Sequence, residues 1–255
     1  MEYVEILRAR RVLFWFGLSS LGCLAFTLMG IYWSHAHVNA GGSSFGSENL
    51  SSLVGIAVFG GIIVATALAG NLNAEHTTTA IIWTRPRSRE AIAWRYVAVD
   101  LAAILAGYAI VLAAIVVGVI ASGLMPHFHV DAARSLTLFA LGMGGAAMWY
   151  GLVSVAAARL EGHGARVAAL SWAVFLIGGG VIAAPVPDLL HYVIVALNYL
   201  NPLAWLGDLS SSGVHAGGGI HSVLHLDPWA RALGAWAIAL VAIVASTKLW
   251  STREA

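Results

Sequence analysis

The chain has 255 residues, of which 60% are hydrophobic and 10% charged, with a mean hydropathy of +0.84. Soluble domains carry about a quarter charged residues, so this composition excludes an ordinary soluble domain and reads as one compact domain of an integral membrane protein. A formal net charge of +1 without a lysine- or arginine-rich tail gives no footing for a nucleic-acid partner, and the single Cys23 supports neither a disulfide framework nor a thiolate metal cluster.

A transmembrane helix needs about 20 apolar residues, which leaves room for roughly six spans. Residues Met1 to Arg11 mix Tyr3, Val4, Ile6 and Leu7 with Glu2, Glu5 and the arginines at 8, 10 and 11, as in a short helix lying on the membrane surface. The following run, Val12 to Trp33, is too long for a signal core and lacks a small-x-small cleavage site, so it reads as a retained first span. The second span covers Leu53 to Leu72, with Gly61, Ala65 and Ala69 at four-residue spacing, a stripe that lets another helix come close.

A polar and basic segment, Asn73 to Tyr96, interrupts the apolar runs and holds Arg85, Arg87, Arg89 and Arg95. The third span then runs from Tyr96 to Ala121 with Asp100 one turn inside it, and the fourth from Ser135 to Ala158 with Gly142, Gly144 and Gly145. Asp100 reads as an interfacial carboxylate paired with Arg95 or another arginine of that face, against a gating or substrate role. The connection Arg159 to Arg166 turns the chain into a fifth span, Val167 to Pro185, which includes Gly178, Gly179 and Gly180 and is expected to kink or pack very closely. Leu189 to Leu200 is too short to span and reads as a re-entrant or interfacial helix stopped by Asn201-Pro202. A sixth span, Trp229 to Trp250, carries tryptophan at both ends.

The fold class expected is therefore an all-α integral membrane protein with an N-terminal interfacial helix, six spans and short re-entrant helices before the last. Counting cations in the connections sets the orientation. Arg8, Arg10, Arg11, Arg85, Arg87, Arg89, Arg95, Arg159, Arg166, Lys248 and Arg253 fall on the side of the N-terminus, eleven in all, against two, Arg134 and Arg231, on the other. Both termini and the Asn73 to Tyr96 segment are expected to be cytoplasmic.

Candidate chemistry is sparse. Eight of the ten histidines fall in segments expected outside, and His35-x-His37 and His127-x-His129 each offer a pair of imidazoles to Zn or Cu. Solvated loop histidines are the simpler reading, and a non-transporting scaffold or sensor using these loops, with or without metal, is the alternative function. No G-x-x-x-x-G-K-[ST] loop occurs, so the chain has no phosphate cradle of its own, and no cluster of buried polar residues marks a catalytic site.

Glu75-His76-Thr77-Thr78, then Ile81-Ile82-Trp83, then Pro86-Arg87-Ser88-Arg89 resembles the E-x-x-T, apolar pair and P-x-S-R pattern of the permease subunits of type 2 ABC exporters, also called type V exporters. Asn201-Pro202-Leu203 is similar to a second motif of that family; Thr77 and Arg87 depart from its usual glycine and aliphatic residue. The resemblance implies a permease of a bacterial or archaeal plasma membrane, the inner membrane where there are two. Such a permease pairs with a second protomer, identical or related, and binds two copies of a separate ATPase that uses ATP and Mg. It further implies a cytoplasmic coupling helix at Glu75 to Trp83 with Glu75, Thr78, Ile81, Ile82, Trp83, Pro86 and Arg89 as ATPase-coupling residues. The apolar Ile81, Ile82 and Trp83 would fit a cleft, and Pro86 would end the helix. The substrate path, between the second and fifth spans (53–72 and 167–185), would suit an amphipathic, peptide, antibiotic or lipid-like cargo. Membrane lipids are the remaining partner expected.

Overall fold

The computed structural model describes residues 6–21, 57–72, 88–121, 131–160, 163–164, 166–172, 199–202, 205 and 227–252. These are almost entirely helical, with no strand among the described residues. The helices are α1 (6–21), α2 (Val58–Leu72), α3 (Arg89–Ala121), α4 (Ala132–Arg159), α5 (166–172) and α6 (Pro228–Ser251). Three stretches, Arg89–Gly118, Ser135–Arg159 and Pro228–Ser251, are long and apolar enough to cross a membrane, and Gly60–Ala69 is a shorter apolar helix. Leu233 and Val241 of α6 are each 70% exposed, which places bare aliphatic side chains on the outside of the bundle, as a lipid-facing surface requires. Length, composition and this outer face mark a multi-pass membrane protein.

Helix α4 is the centre. Of its most apolar stretch 72% is buried, against 28% in α3 and 39% in α6. From Leu141 to Tyr150 every position is buried, because α2, α3 and α6 pack around it. Small residues make this possible. A β-carbon added to Gly151 would lie 2.8 Å from Ala242 Cβ and 3.2 Å from the Ile243 backbone nitrogen, so α4 and α6 meet almost backbone to backbone. At Gly144 the missing side chain admits the Trp236 indole, whose Nε1 donates to the Ala140 carbonyl at 3.0 Å.

The contacts also fix direction. Val58 meets Gly142, Gly61 meets Ala146, and Trp149 Nε1 donates to Thr66 Oγ1 at 2.9 Å, so α2 and α4 run in parallel. The pairs 140/236 and 151/242 make α6 parallel to both. Tyr108 packs edge-on to Phe139 and Tyr96 packs against Trp250, so α3 runs the opposite way. α1 lies along α3 in the same sense, with Arg8 beside Asp100 and Phe16 near Gly60. The starts of α1 and α3 and the ends of α2, α4 and α6 therefore share one end of the bundle. Among the described residues Arg8, Arg10, Arg11, Arg89, Arg95, Arg159, Arg166 and Lys248 gather toward that end, while Arg134 and Arg231 lie in the first turns of α4 and α6 at the other.

Several expectations need correction. No break separates a surface helix ending at Arg11 from a span starting at Val12: residues 6–21 form one helix, and Arg8 turns into the bundle instead of lying on a surface. The third helix starts at Arg89, not Tyr96, because Ser88 caps it: its Oγ accepts from the Ala91 backbone N–H at 3.3 Å. Two turns expected in the polar segment thus belong to α3, with Ile92, Ala93 and Tyr96 buried against Trp250. By contrast, α4 and α6 begin and end close to the expected positions. Asp227 caps α6 by accepting from Trp229 N–H at 3.0 Å, with Pro228 at the first helical position.

Candidate functional site

Asp100 stands 11 residues into α3, about 16 Å from its start at 1.5 Å per residue. It is 0% exposed. A buried carboxylate in a membrane-spanning helix is costly unless paired, and here both oxygens are used. Arg8 Nη2 of α1 donates to Oδ1 at 2.9 Å, and the Tyr150 hydroxyl of α4 donates to Oδ2 at 2.8 Å. The three side chains tie three helices together at one level, with the Arg8 side chain itself only 12% exposed.

Of the arginines expected at this face, Arg8 and not Arg95 pairs with Asp100. Arg95 stands five residues away, about 140° around a helix of 3.6 residues per turn, and faces outward. Arg8 meets Asp100 because α1 runs beside α3 with its 8/12/16 line turned inward; Val12 and Phe16 continue that line into the apolar core. Tyr150 comes from the fully buried stretch of α4, where its ring packs among apolar side chains and its hydroxyl needs a buried acceptor.

A second polar contact lies in the neighbouring interface. Thr66 Oγ1 donates to the Ile62 carbonyl at 2.8 Å and accepts from Trp149 Nε1, so the one hydroxyl satisfies both its own proton and the indole. Trp149 and Tyr150 are consecutive in sequence, and at 100° per residue they face α2 and α3 respectively. Adjacent residues of the central helix thus hold two different neighbours by hydrogen bonds.

Of the residues proposed to couple to an ATPase, Arg89 is the one described: it opens α3, half-exposed, directly after the Ser88 cap. Glu75, Thr78, Ile81, Ile82, Trp83 and Pro86 lie outside the described residues, as do His35, His37, His127 and His129. So do most of the fifth span, with its three glycines, and most of the re-entrant run. What is described of the latter is its end, where Tyr199 and Leu200 turn, Asn201 and Pro202 are buried, and Trp205 Nε1 donates to the Tyr199 carbonyl at 2.8 Å. The Trp205 ring occupies the space that a side chain on Gly234 would need, seating this turn against α6. Among the described residues no group of three or more His, Cys, Asp or Glu is placed to hold a metal ion.

The Arg8, Asp100 and Tyr150 cluster joins residues 92 and 50 positions apart. The available sequence signal was the rarity of an aspartate inside an apolar span; its partners gave none, because Arg8 sits in a basic cluster and Tyr150 in an apolar run. Chemically the cluster is a buried ion pair extended by a phenol, and both hydrogen bonds to Asp100 are between helices. It holds helices in register. Comparison with protein-family models, with curated proteins and with solved structures finds no match.

Proposed function

We propose that this chain is the permease subunit of an ATP-driven exporter of the type 2 ABC kind, forming the path for an amphipathic, peptide, antibiotic or lipid-like substrate. The observation that carries this reading is the Glu75 to Arg89 motif, which joins the end of α2 to the start of α3 at the arginine-rich end of the bundle. By the excess of cations that end is cytoplasmic. In this reading α1, α2 and α5 are the described parts of three further spans, both termini are cytoplasmic, and two protomers enclose the path.

The mechanism uses the connections described above. An ATPase closing on ATP and Mg pushes on the segment between Leu72 and Ser88. Because α3 begins at that segment and holds α1 and α4 through Asp100, a displacement of its start is passed to both. The absence of buried charge other than this cluster among the described residues suits an apolar or amphipathic cargo and suits a bare ion poorly.

The test is reconstitution with the ATPase that co-purifies with the chain. Glu75→Ala and Thr78→Ala are expected to lower permease-stimulated ATP hydrolysis several-fold while the purified permease keeps its helical content and its elution volume. An unchanged rate in both variants, or a permease that recruits no ATPase, overturns the proposal.

A further inference from the structure

Along the outer side of α1 runs an open groove of about 580 Å³, within the range of roughly 300–1,000 Å³ usual for sites that take small molecules. Arg10, Leu13 and Phe14 of α1 form one wall, and Ala102, Ala103 and Ala106 of α3 form the floor. Its origin is in the sequence. α1 turns its 8/12/16 line to the bundle, so its 6/10/14 line overhangs α3, where three alanines leave the space beneath unfilled. The lining is apolar apart from Arg10, and from Ile6 to Phe14 it extends about 12 Å along the helix.

Arg10 is the one charged residue lining this groove, midway between Ile6 and Phe14. Its guanidinium has no hydrogen-bond or ion-pair partner among the described residues, unlike that of Arg8 one turn-face away. Side chains on a helix lean toward its N-terminus, so Arg10 reaches back along the groove toward the end of the bundle where arginines collect, the side from which a phospholipid head group would approach. An apolar channel along the outer side of α1, with an unpaired cation reaching toward the basic end of the bundle, matches one ligand chemistry.

We propose that the groove between α1 and α3 binds an anionic phospholipid, with an acyl chain along Leu13, Phe14 and the three alanines and the phosphate on Arg10. The chain gains little by moving from bulk lipid to the groove, since both are apolar. Selectivity therefore falls on the head group, and the groove serves to hold that head group at Arg10. This site does not depend on any ATPase.

The protein is placed in nanodiscs of phosphatidylcholine mixed with phosphatidylglycerol, and the lipids retained after extraction are counted by native mass spectrometry. The wild-type chain is expected to retain phosphatidylglycerol preferentially. Arg10→Gln should lower that preference about fivefold, the effect of one interfacial cation. Arg10→Lys should keep most of it. Ala102→Phe fills the groove from its exposed rim, where core packing does not oppose it, and should lower retention of both lipids. Arg159→Gln, an exposed cation away from the groove, should change nothing. An equal loss in Arg159→Gln would mean diffuse attraction to a positive face and would overturn the site, as would wild-type retention in both Arg10→Gln and Ala102→Phe.

Discussion

The seam between α4 and α6 and the seam between α1 and α3 solve the same problem differently. At the first, Gly144 and Gly151 face Ala235 and Ala242, and the backbones approach until a single added methyl would collide. At the second, α1 stands off enough to leave a groove, and a buried ion pair fixes its position. Inside a membrane, burial from water cannot drive helices together, so close packing or polar bonds must. Where small residues of both helices face each other, packing suffices. Where the alanines of one helix meet large side chains of the other, one directional contact sets the register and leaves the rest of the face open.

That contrast can be broken from either side. The largest effect is expected at the ion pair: Arg8→Gln leaves the Asp100 carboxylate buried without its counter-charge, and loss of one partner of a buried pair costs about 3–5 kcal/mol. Unfolding of the purified protein in mixed micelles should shift accordingly, and Arg8→Gln with Asp100→Asn should recover part of the loss. A double variant no more stable than Arg8→Gln alone would mean that the charge pairing is not what holds α1. Next is Gly151→Val, which forces apart a contact made by backbone and should cost about 1–3 kcal/mol by overpacking. If the same measurement shows no loss, the α4–α6 seam is looser than described. The smallest is Thr66→Val, which removes the acceptor for Trp149. Hydrogen bonds between membrane helices average about 0.6 kcal/mol, and a loss of several times that figure would show that this bond, not small-residue packing, governs the α2–α4 seam.

The bounds of α4 and α6 were legible in sequence to within about three residues, because polar loops flank the apolar runs and tryptophans bracket the last one. The start of α3 was not, because Trp94, Arg95 and Tyr96 look like an interface while Ser88, the capping residue, stands eight residues before the expected start at Tyr96. The stripe of Gly61, Ala65 and Ala69 was correctly placed in the core, yet the closest approach in that region is made by Gly60. A β-carbon there would lie 2.9 Å from the carbonyl oxygen of Gly107, one of two glycines in a helix of 33 residues, which periodicity does not single out. An ion pair of Asp100 with an arginine of that face was legible, but its partner Arg8 was not, for a related reason. Local pattern reports which face a residue occupies, not which distant helix lies against it, and Arg8 reads locally as one more cation of a basic cluster.

The shared direction of α2, α4 and α6 has an electrostatic result. Helices α4 and α6 present their C-terminal carbonyls, each end carrying partial negative charge, at the same face where α3 presents N-terminal amides of opposite sign. Arg159 and Lys248 stand in the last turns of α4 and α6, and Glu90 in the first turn of α3, each with the sign that its helix end favours. Part of the positive excess at this face is therefore balanced by helix ends within the protein itself. Among the described residues, Arg10 and Arg11 of α1 are cations of this face that no helix C-terminus offsets.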